Sequence, residues 1–504
     1  MGIGSGRRLS LSPVRVSLAF AVLAALCLLA ADLTVSTLSP WDELGRVLFG
    51  FVTPAFLDSR YLLTALMHTV AFGVLGTVFG AAAGFILAIV FRWRVVRLGA
   101  AFVRAIHELF WALLFMQVFG LGAVTGVLAI AVPFAGIFAK VYAEILEESD
   151  DAALRALPAG TPSTSAFLFA RLPDAWAAMK RYTYYRLECG LRSSAVLGFI
   201  GLPTLGFFLE SAFAQGYYSQ AGAYLLMLYA LIATLRLWLP PRLTVPAVIA
   251  CLFLLPESQG VNWSNVARFF THDVVPAPLR AGVDAASLAQ FGDWLSSLWI
   301  NQAWPGLINT LIITQIALVT TGVLTLLVFP LIVRRFVGWA GAGGGHVLLL
   351  VLRSTPEYIL AYVLLQLWGP SMLPAVVALT LHNGAIIGFL VGRTAQRMRL
   401  RADAPRGLDL YGYEVLPRVY GPFLAFLFYR WEIIMRETAL LGILGVHTLG
   451  FYIDSAVATI RIDQMLVLLL ITAALNMGID AISRGVRARM RLSSVVDSRQ
   501  TVAH

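Results

Sequence analysis

The sequence has little charge, little cysteine and almost no lysine, and each shortage removes a class of protein. Charged residues are 13% of the 504 positions and apolar residues 59%. That leaves too little polar surface to cover soluble cores. The three cysteines, Cys27, Cys189 and Cys251, lie far apart in or beside apolar segments. They set out no disulfide framework and no metal spacing, so core packing is their expected role. Lysine occurs only at Lys140 and Lys180, preceded by Ala139 and Met179. A P-loop needs a Gly-Lys pair so that its amides and ammonium can hold phosphates, and this chain cannot supply one. Nor does it carry an H-E-x-x-H or a nucleophile elbow. No catalytic residues and no metal ligands are read from it, and it is not read as an enzyme.

What it does have is apolar runs of about 20 residues, the length at which a helix crosses a bilayer. The alternating short strands of a β-barrel are absent from the pattern. The predicted class is an all-α polytopic membrane protein. Twelve transmembrane helices fit the hydropathy, six per half. In the first half they fall near 14–31, 61–91, 99–119, 124–143, 184–202 and 221–238. In the second they fall near 243–256, 304–333, 346–368, 373–393, 424–446 and 464–482. The first run follows Arg7, Arg8 and Arg15, with no small-residue cleavage site before Asp32, and is read as a retained anchor helix.

The net charge of +10 does not point to nucleic acid, because its placement follows membrane topology. Arg92, Arg94 and Arg97 share one side with Arg236, Arg242, Arg334, Arg335 and the tail arginines Arg484, Arg487, Arg489 and Arg491. On the other side lie the longer segments 32–60 and 257–303, where acids largely offset a few arginines. The positive-inside rule then puts both termini in the cytoplasm. An even number of spans per half makes the two halves parallel repeats, 1–242 and 243–504.

The repeat itself is legible residue by residue. Tyr185 to Phe213 reads YRLECGLRSSAVLGFIGLPTLGFFLESAF, and Tyr429 to Val457 reads YRWEIIMRETALLGILGVHTLGFYIDSAV. Without a gap this pairs Arg186 with Arg430, Glu188 with Glu432, Arg192 with Arg436, and Gly198, Gly201 and Gly206 with Gly442, Gly445 and Gly450. A second match pairs Arg104 with Arg353 and Glu108 with Glu357. His68-Thr69 against Asn309-Thr310 is a fainter echo, and His107 and His382 break the symmetry, facing Pro356 and Pro133.

Arg104/Glu108 and Arg353/Glu357 are spaced as i,i+4 pairs on one helix face. Charge inside a bilayer costs roughly 2.5–3.5 kcal/mol per residue on insertion scales, so such residues face partners or water. Two readings stay open for these four and for Glu188, Arg192, Glu432 and Arg436. They are local ion pairs that hold helices together, or they line a path on which arginine meets an anion. The six glycines are read as packing devices or as a gate-like turn shared by the halves.

The combination Arg-x-x-x-Glu early in a span, a cytoplasmic loop ending in Leu-Pro, then LGxxGxxxxGF resembles the phosphonate-type ABC transporter permeases. It covers roughly 61–238 and 304–482, so the chain resembles two such permeases fused in tandem, with a type I ABC importer fold. In that superfamily the loop carries a glycine thirteen residues before the proline of Leu-Pro. Gly160, Leu172 and Pro173 meet this spacing in the first half. In the second, Leu416 and Pro417 are present, but Ala404 stands at the glycine position and the nearest upstream glycine is Gly407. The resemblance implies that these residues couple to a homodimeric ABC ATPase, with the first loop coupling more strongly. It also implies an external, periplasmic substrate-binding protein, ATP and Mg²⁺ on the partner ATPase, and residence in a bacterial inner membrane. The implied cargo is a small phosphorus oxyanion: phosphonate, phosphite or phosphate. An ion-coupled secondary transporter with parallel repeats is the alternative, and a non-transporting membrane scaffold or sensor is another.

Overall fold

The computed structural model describes residues 12–37, 39–56, 61–149, 152–158, 160–257 and 260–490; Arg7, Arg8 and Arg491 lie outside them. Every regular element among these residues is helical. Among the described residues, seven helices are long and apolar enough to cross a membrane, and counting each of three bent pairs as one span raises the number to ten. Tyr218–Ala233, Thr244–Phe253 and Glu357–Trp368 are apolar but shorter.

The chain forms two compact units, and neither is continuous in sequence. One comprises Trp41–Leu288 with Ile460–Leu469. Its centre is helix Leu62–Ile89 laid along helix Ala123–Glu148. Gly76, Gly80 and Gly84 form a one-sided stripe, and Ile130, Phe134 and Phe138 fill the space that β-carbons would occupy. A β-carbon on Gly84 would stand 2.4 Å from that of Phe138. Small residues every fourth position let helices approach where lipid gives no hydrophobic drive. Helix Thr244–Phe253 packs on Leu62–Ile89 with Cys251 buried.

The other unit comprises Met1–Pro40, Ala289–Thr459 and Leu470–His504. Here helix Trp304–Val328 packs on Met372–Arg397, and the glycine stripe has changed sides. Gly384, Gly388 and Gly392 now take up Leu324, Val328 and Ile332. Helix Pro13–Ala30 joins this unit, with Phe20 edge-on to Phe428 and Trp431 at 5.1 and 5.0 Å. The Gln315 amide donates to the Phe20 carbonyl at 3.0 Å, closing a polar contact in an apolar seam.

Two expected spans are broken. The predicted 99–119 span is helix Arg94–Ala105 followed by helix Glu108–Phe119, bent by 95°. The predicted 346–368 span divides between helices Arg334–Ser354 and Glu357–Trp368. Elsewhere helices run past their hydropathy limits. Those read as 184–202 and 424–446 begin at Leu172 and Leu416. Segment 32–60 contains an unpredicted helix, Pro40–Val52, that exposes Trp41, Phe49 and Val52.

Candidate functional site

The candidate residues gather at four kinds of place, each present once per half: a helix corner, a helix face, a glycine turn and a loop. At the first-half corner Arg104 sits in the last helical turn, Ile106 and His107 are extended (ψ 132° and 147°), and Glu108 opens the next helix. The His107 Nδ1 accepts the Leu109 N–H at 3.2 Å and caps that helix. In the second half Arg353 sits in the last turn of its helix, Thr355 and Pro356 are extended (ψ 119° and 141°), and Glu357 opens the next. Proline pushes the residue before it out of helical geometry, which places the second break. The i,i+4 reading of both Arg–Glu pairs is therefore corrected. Two extended residues separate each arginine from its glutamate, so neither pair shares a helix face.

The company each glutamate keeps was not legible in the spacing. Ser193 donates to Glu108 Oε1 at 2.6 Å, and the His107 Nε2 lies 3.8 Å from Oε2. Arg186, on the same helix as Ser193, lies over the Phe134 ring at 4.3 Å, within electrostatic reach of Glu108. In the second half Glu437 stands at the repeat position of Ser193, Asn383 at that of Phe134, and His382 at that of Pro133. Asn383 donates to Glu437 Oε2 at 2.8 Å, Arg430 approaches Oε1 at 3.7 Å, and the His382 Nε2 is 3.7 Å from Glu357. Glu357, His382 and Glu437 each offer a ligand atom within 4.8 Å of the others. The Arg353 guanidinium covers the Phe389 ring at 4.1 Å. The histidine thus changes helix between halves, yet meets the same carboxylate.

Glu188 and Arg192 pair at 3.0 Å along helix Leu172–Val196, with side chains 41% and 23% exposed. Glu432 and Arg436 occupy the matching turns of helix Leu416–Leu440 and are half-buried.

The glycine turns superpose in chemistry more closely than any other feature. Helix Leu172–Val196 tightens to a 3₁₀ turn at Leu197–Ile200, Gly201 adopts left-handed geometry (φ 93°), and helix Leu205–Ala214 leaves with a 49° bend. The second half repeats this with Leu441–Leu444, Gly445 (φ 88°) and helix Leu449–Ala458. A β-carbon on Gly198 would sit 2.1 Å from the Phe207 nitrogen, and one on Gly442 at 2.1 Å from that of Phe451. Gly206 and Gly450 are the second residues of the exit helices. The faint His68-Thr69 echo also finds its purpose. The Thr69 and Thr310 hydroxyls accept the first amide of each exit helix, from Leu205 at 2.9 Å and Leu449 at 3.1 Å. His68 and Asn309 bind the carbonyls of Pro203 and His447 at 2.9 and 2.8 Å.

In the loops, Gly160 and Gly407 both take left-handed backbone, φ 90° and 64°. Wide π turns, Phe167–Arg171 and Leu410–Val415, then run into Leu172-Pro173 and Leu416-Pro417. Proline at the second helical position needs no N–H bond, so the helix passes through it. Phe169 and Tyr413, the same position in the repeat, are each 80% exposed.

No protein-family model matches the chain, and no solved structure matches it. Curated relatives do. The chain is 24% identical over 499 residues to the phosphate-import permease protein PhnE of Mycolicibacterium smegmatis, covering 89% of each. It is 28% identical over 244 residues to the phosphite transport system permease protein PtxC of Stutzerimonas stutzeri, which takes 46% of this chain and 86% of that protein. One relative therefore runs nearly the whole chain and another little more than one half. With its broken apolar helices and twofold motifs, this chain is a multi-pass membrane protein and a homologue of ABC transport permeases.

Proposed function

We propose that the chain is the transmembrane permease of an ATP-driven importer for a small phosphorus oxyanion. The observation that carries the proposal is the pair of loops. Each leads from a left-handed glycine through a π turn to Leu-Pro and exposes one aromatic side chain, Phe169 or Tyr413. An exposed aromatic repeated at the same place fits a knob for a soluble partner. A chain with no Gly-Lys pair needs such a partner to use ATP. In this reading a homodimeric ABC ATPase, carrying ATP and Mg²⁺, docks through Gly160, Leu172 and Pro173 and through Gly407, Leu416 and Pro417. A periplasmic binding protein delivers substrate on the other side of a bacterial inner membrane, with both termini cytoplasmic and the two six-helix repeats parallel. The relatives named for phosphate import and phosphite transport support the cargo class.

Within the membrane we assign different tasks to the two sets of charges. Glu108 and Glu357 are held by neighbours on other helices and brace the corners. Glu188 and Arg192 remain partly accessible. Lipid would penalise such a pair, so it and its repeat, Glu432 and Arg436, line an aqueous path. The glycine turns sit downstream as the gate.

The test is reconstitution of the chain in liposomes with its ATPase and binding protein. Uptake of phosphate, phosphite or a phosphonate should need ATP and fall at least tenfold for Phe169→Ala with Tyr413→Ala. Uptake that persists without ATP under a proton gradient would show a secondary transporter instead.

A further inference from the structure

The exit helices Leu205–Ala214 and Leu449–Ala458 carry the same open face. Each buries a side led by Leu205, Leu209 and Phe213 in the first half and by Leu449, Ile453 and Val457 in the second. Phe208 and Tyr452 also go to packing. Phe208 stacks on Tyr61 and Tyr224 at 5.2 and 5.7 Å, and Tyr452 lies against Gly306. What is left forms one stripe, spaced i, i+3, i+4 and i+7. In the first half it is Phe207, Glu210, Ser211 and Ala214, and in the second Phe451, Asp454, Ser455 and Ala458. Phenylalanine, acid, serine and alanine recur in register. Packing does not demand this, because it acts on the buried side, where Leu209 faces Ile453 in the repeat and Phe213 faces Val457. On the helix before the turn, open positions change freely, and Asp174 has Arg418 as its counterpart.

The acid is the member that the fold leaves without a task. Glu210 and Asp454 are half-buried, and neither makes a hydrogen bond or an ion pair with any described residue. No charged group among the described residues stands close enough to act on either. A carboxylate turned to hydrocarbon is penalised, so the stripe meets water or a partner. It does not hold a phosphorus oxyanion, since like charges repel. An unpaired, half-desolvated carboxylate beside an aromatic ring suits a lysine or arginine. The acid pairs with the charge, and the ring packs against the guanidinium face or the ammonium.

We propose that these two stripes are docking surfaces for a soluble protein on the outer side, each receiving one basic side chain of that protein. The assignment rests on the importer reading, in which the periplasmic binding protein is the partner and the placement of charge puts the exit helices on its side. Each stripe lies on the helix that leaves the left-handed Gly201 or Gly445 turn, so a partner seated there bears directly on the gate.

The experiment uses the full chain with its ATPase in nanodiscs and measures its affinity for the purified binding protein over a range of salt. On the unmodified chain the affinity should fall as salt rises. Glu210→Gln combined with Asp454→Asn should weaken it about tenfold or more and flatten the salt dependence. In liposomes the binding-protein concentration for half-maximal uptake should rise to match, with uptake at saturation little changed. The salt dependence is read on the unmodified chain, so poor folding of the variant does not decide the matter. Binding that ignores salt, or a variant that binds as well as the unmodified chain, overturns the docking surface and leaves the importer reading standing. Unchanged affinity with lower uptake at saturation would make the stripes part of the path and overturns docking too. If the unmodified chain binds no binding protein at all, the importer reading falls and the docking surface with it.

Discussion

The two helix corners begin from one design and reach electrostatic balance by opposite routes. In the first, a single glutamate meets a hydroxyl from Ser193 and a ring N–H from His107, while Arg186 rests on the face of Phe134. In the second, replacing that serine by Glu437 adds an acid, and replacing the phenylalanine by Asn383 removes the ring on which the arginine would lie. Arg430 turns to the new carboxylate instead. The substitutions make sense only together: with the acid comes the amide that holds it and the cation that faces it. A conserved-looking arginine can therefore be a ring-packed cation in one half and an ion-pair partner in the other.

The sharpest way to break this comparison is to remove the arginine from each half. Arg430→Met removes a cation that faces a buried carboxylate, and breaking a buried pair costs up to about 3–5 kcal/mol. Arg186→Met removes a cation–π contact of about 0.5–2 kcal/mol and leaves a glutamate still served by Ser193. Thermal unfolding in nanodiscs should rank the second-half variant as the worse. Equal losses would mean that the two corners are electrostatically alike.

The glycine turns predict the reverse, a defect that does not distinguish the halves. Gly198→Ala and Gly442→Ala each drive a methyl to 2.1 Å from a backbone nitrogen, which no rotamer relieves. Each should cost about 3 kcal/mol, the upper part of the usual overpacking range, and lower the yield of monodisperse protein similarly. Tolerance in one half alone would show that its turn is not built as described.

These features differ in how far the sequence reveals them. The glycine turn is written in adjacent residues, so its repeat and its bends could be read from Gly198-x-x-Gly201 and its copy. The corner could not. Arg104, His107 and Glu108 interrupt the apolar run between Val103 and Gly120 without marking a helix end, and only backbone geometry shows that Ile106 and His107 leave the helix. Pro356 hinted at the break in the second half, where it disfavours helix at Thr355. The exchange of His107 and Pro133 for Pro356 and His382 was visible as broken symmetry. That His382 approaches Glu357, the repeat equivalent of the glutamate beside His107, depends on packing between helices. Motif spacing likewise missed the Glu357, His382 and Glu437 group, since its members come from three helices.

The loops make the finest comparison, because there the sequences diverge most while the backbone does not. Gly160 holds the family's spacing to Pro173, and Gly407 lies closer to Pro417, from which the sequence predicts unequal coupling. Yet both glycines are left-handed, both have open space around the missing β-carbon, and both precede a π turn and an exposed aromatic. A side chain at either place would strain the backbone by about 1–2 kcal/mol without a clash. Charged to the docking geometry alone, that weakens partner binding by roughly tenfold. Gly160→Ala and Gly407→Ala should therefore lower ATPase affinity alike, measured by co-purification and by stimulated ATP hydrolysis, with little change in unfolding temperature. If only Gly160→Ala weakens docking, spacing governs coupling and the shared backbone does not. If both do, the second loop keeps the first loop's geometry with three fewer residues between glycine and proline.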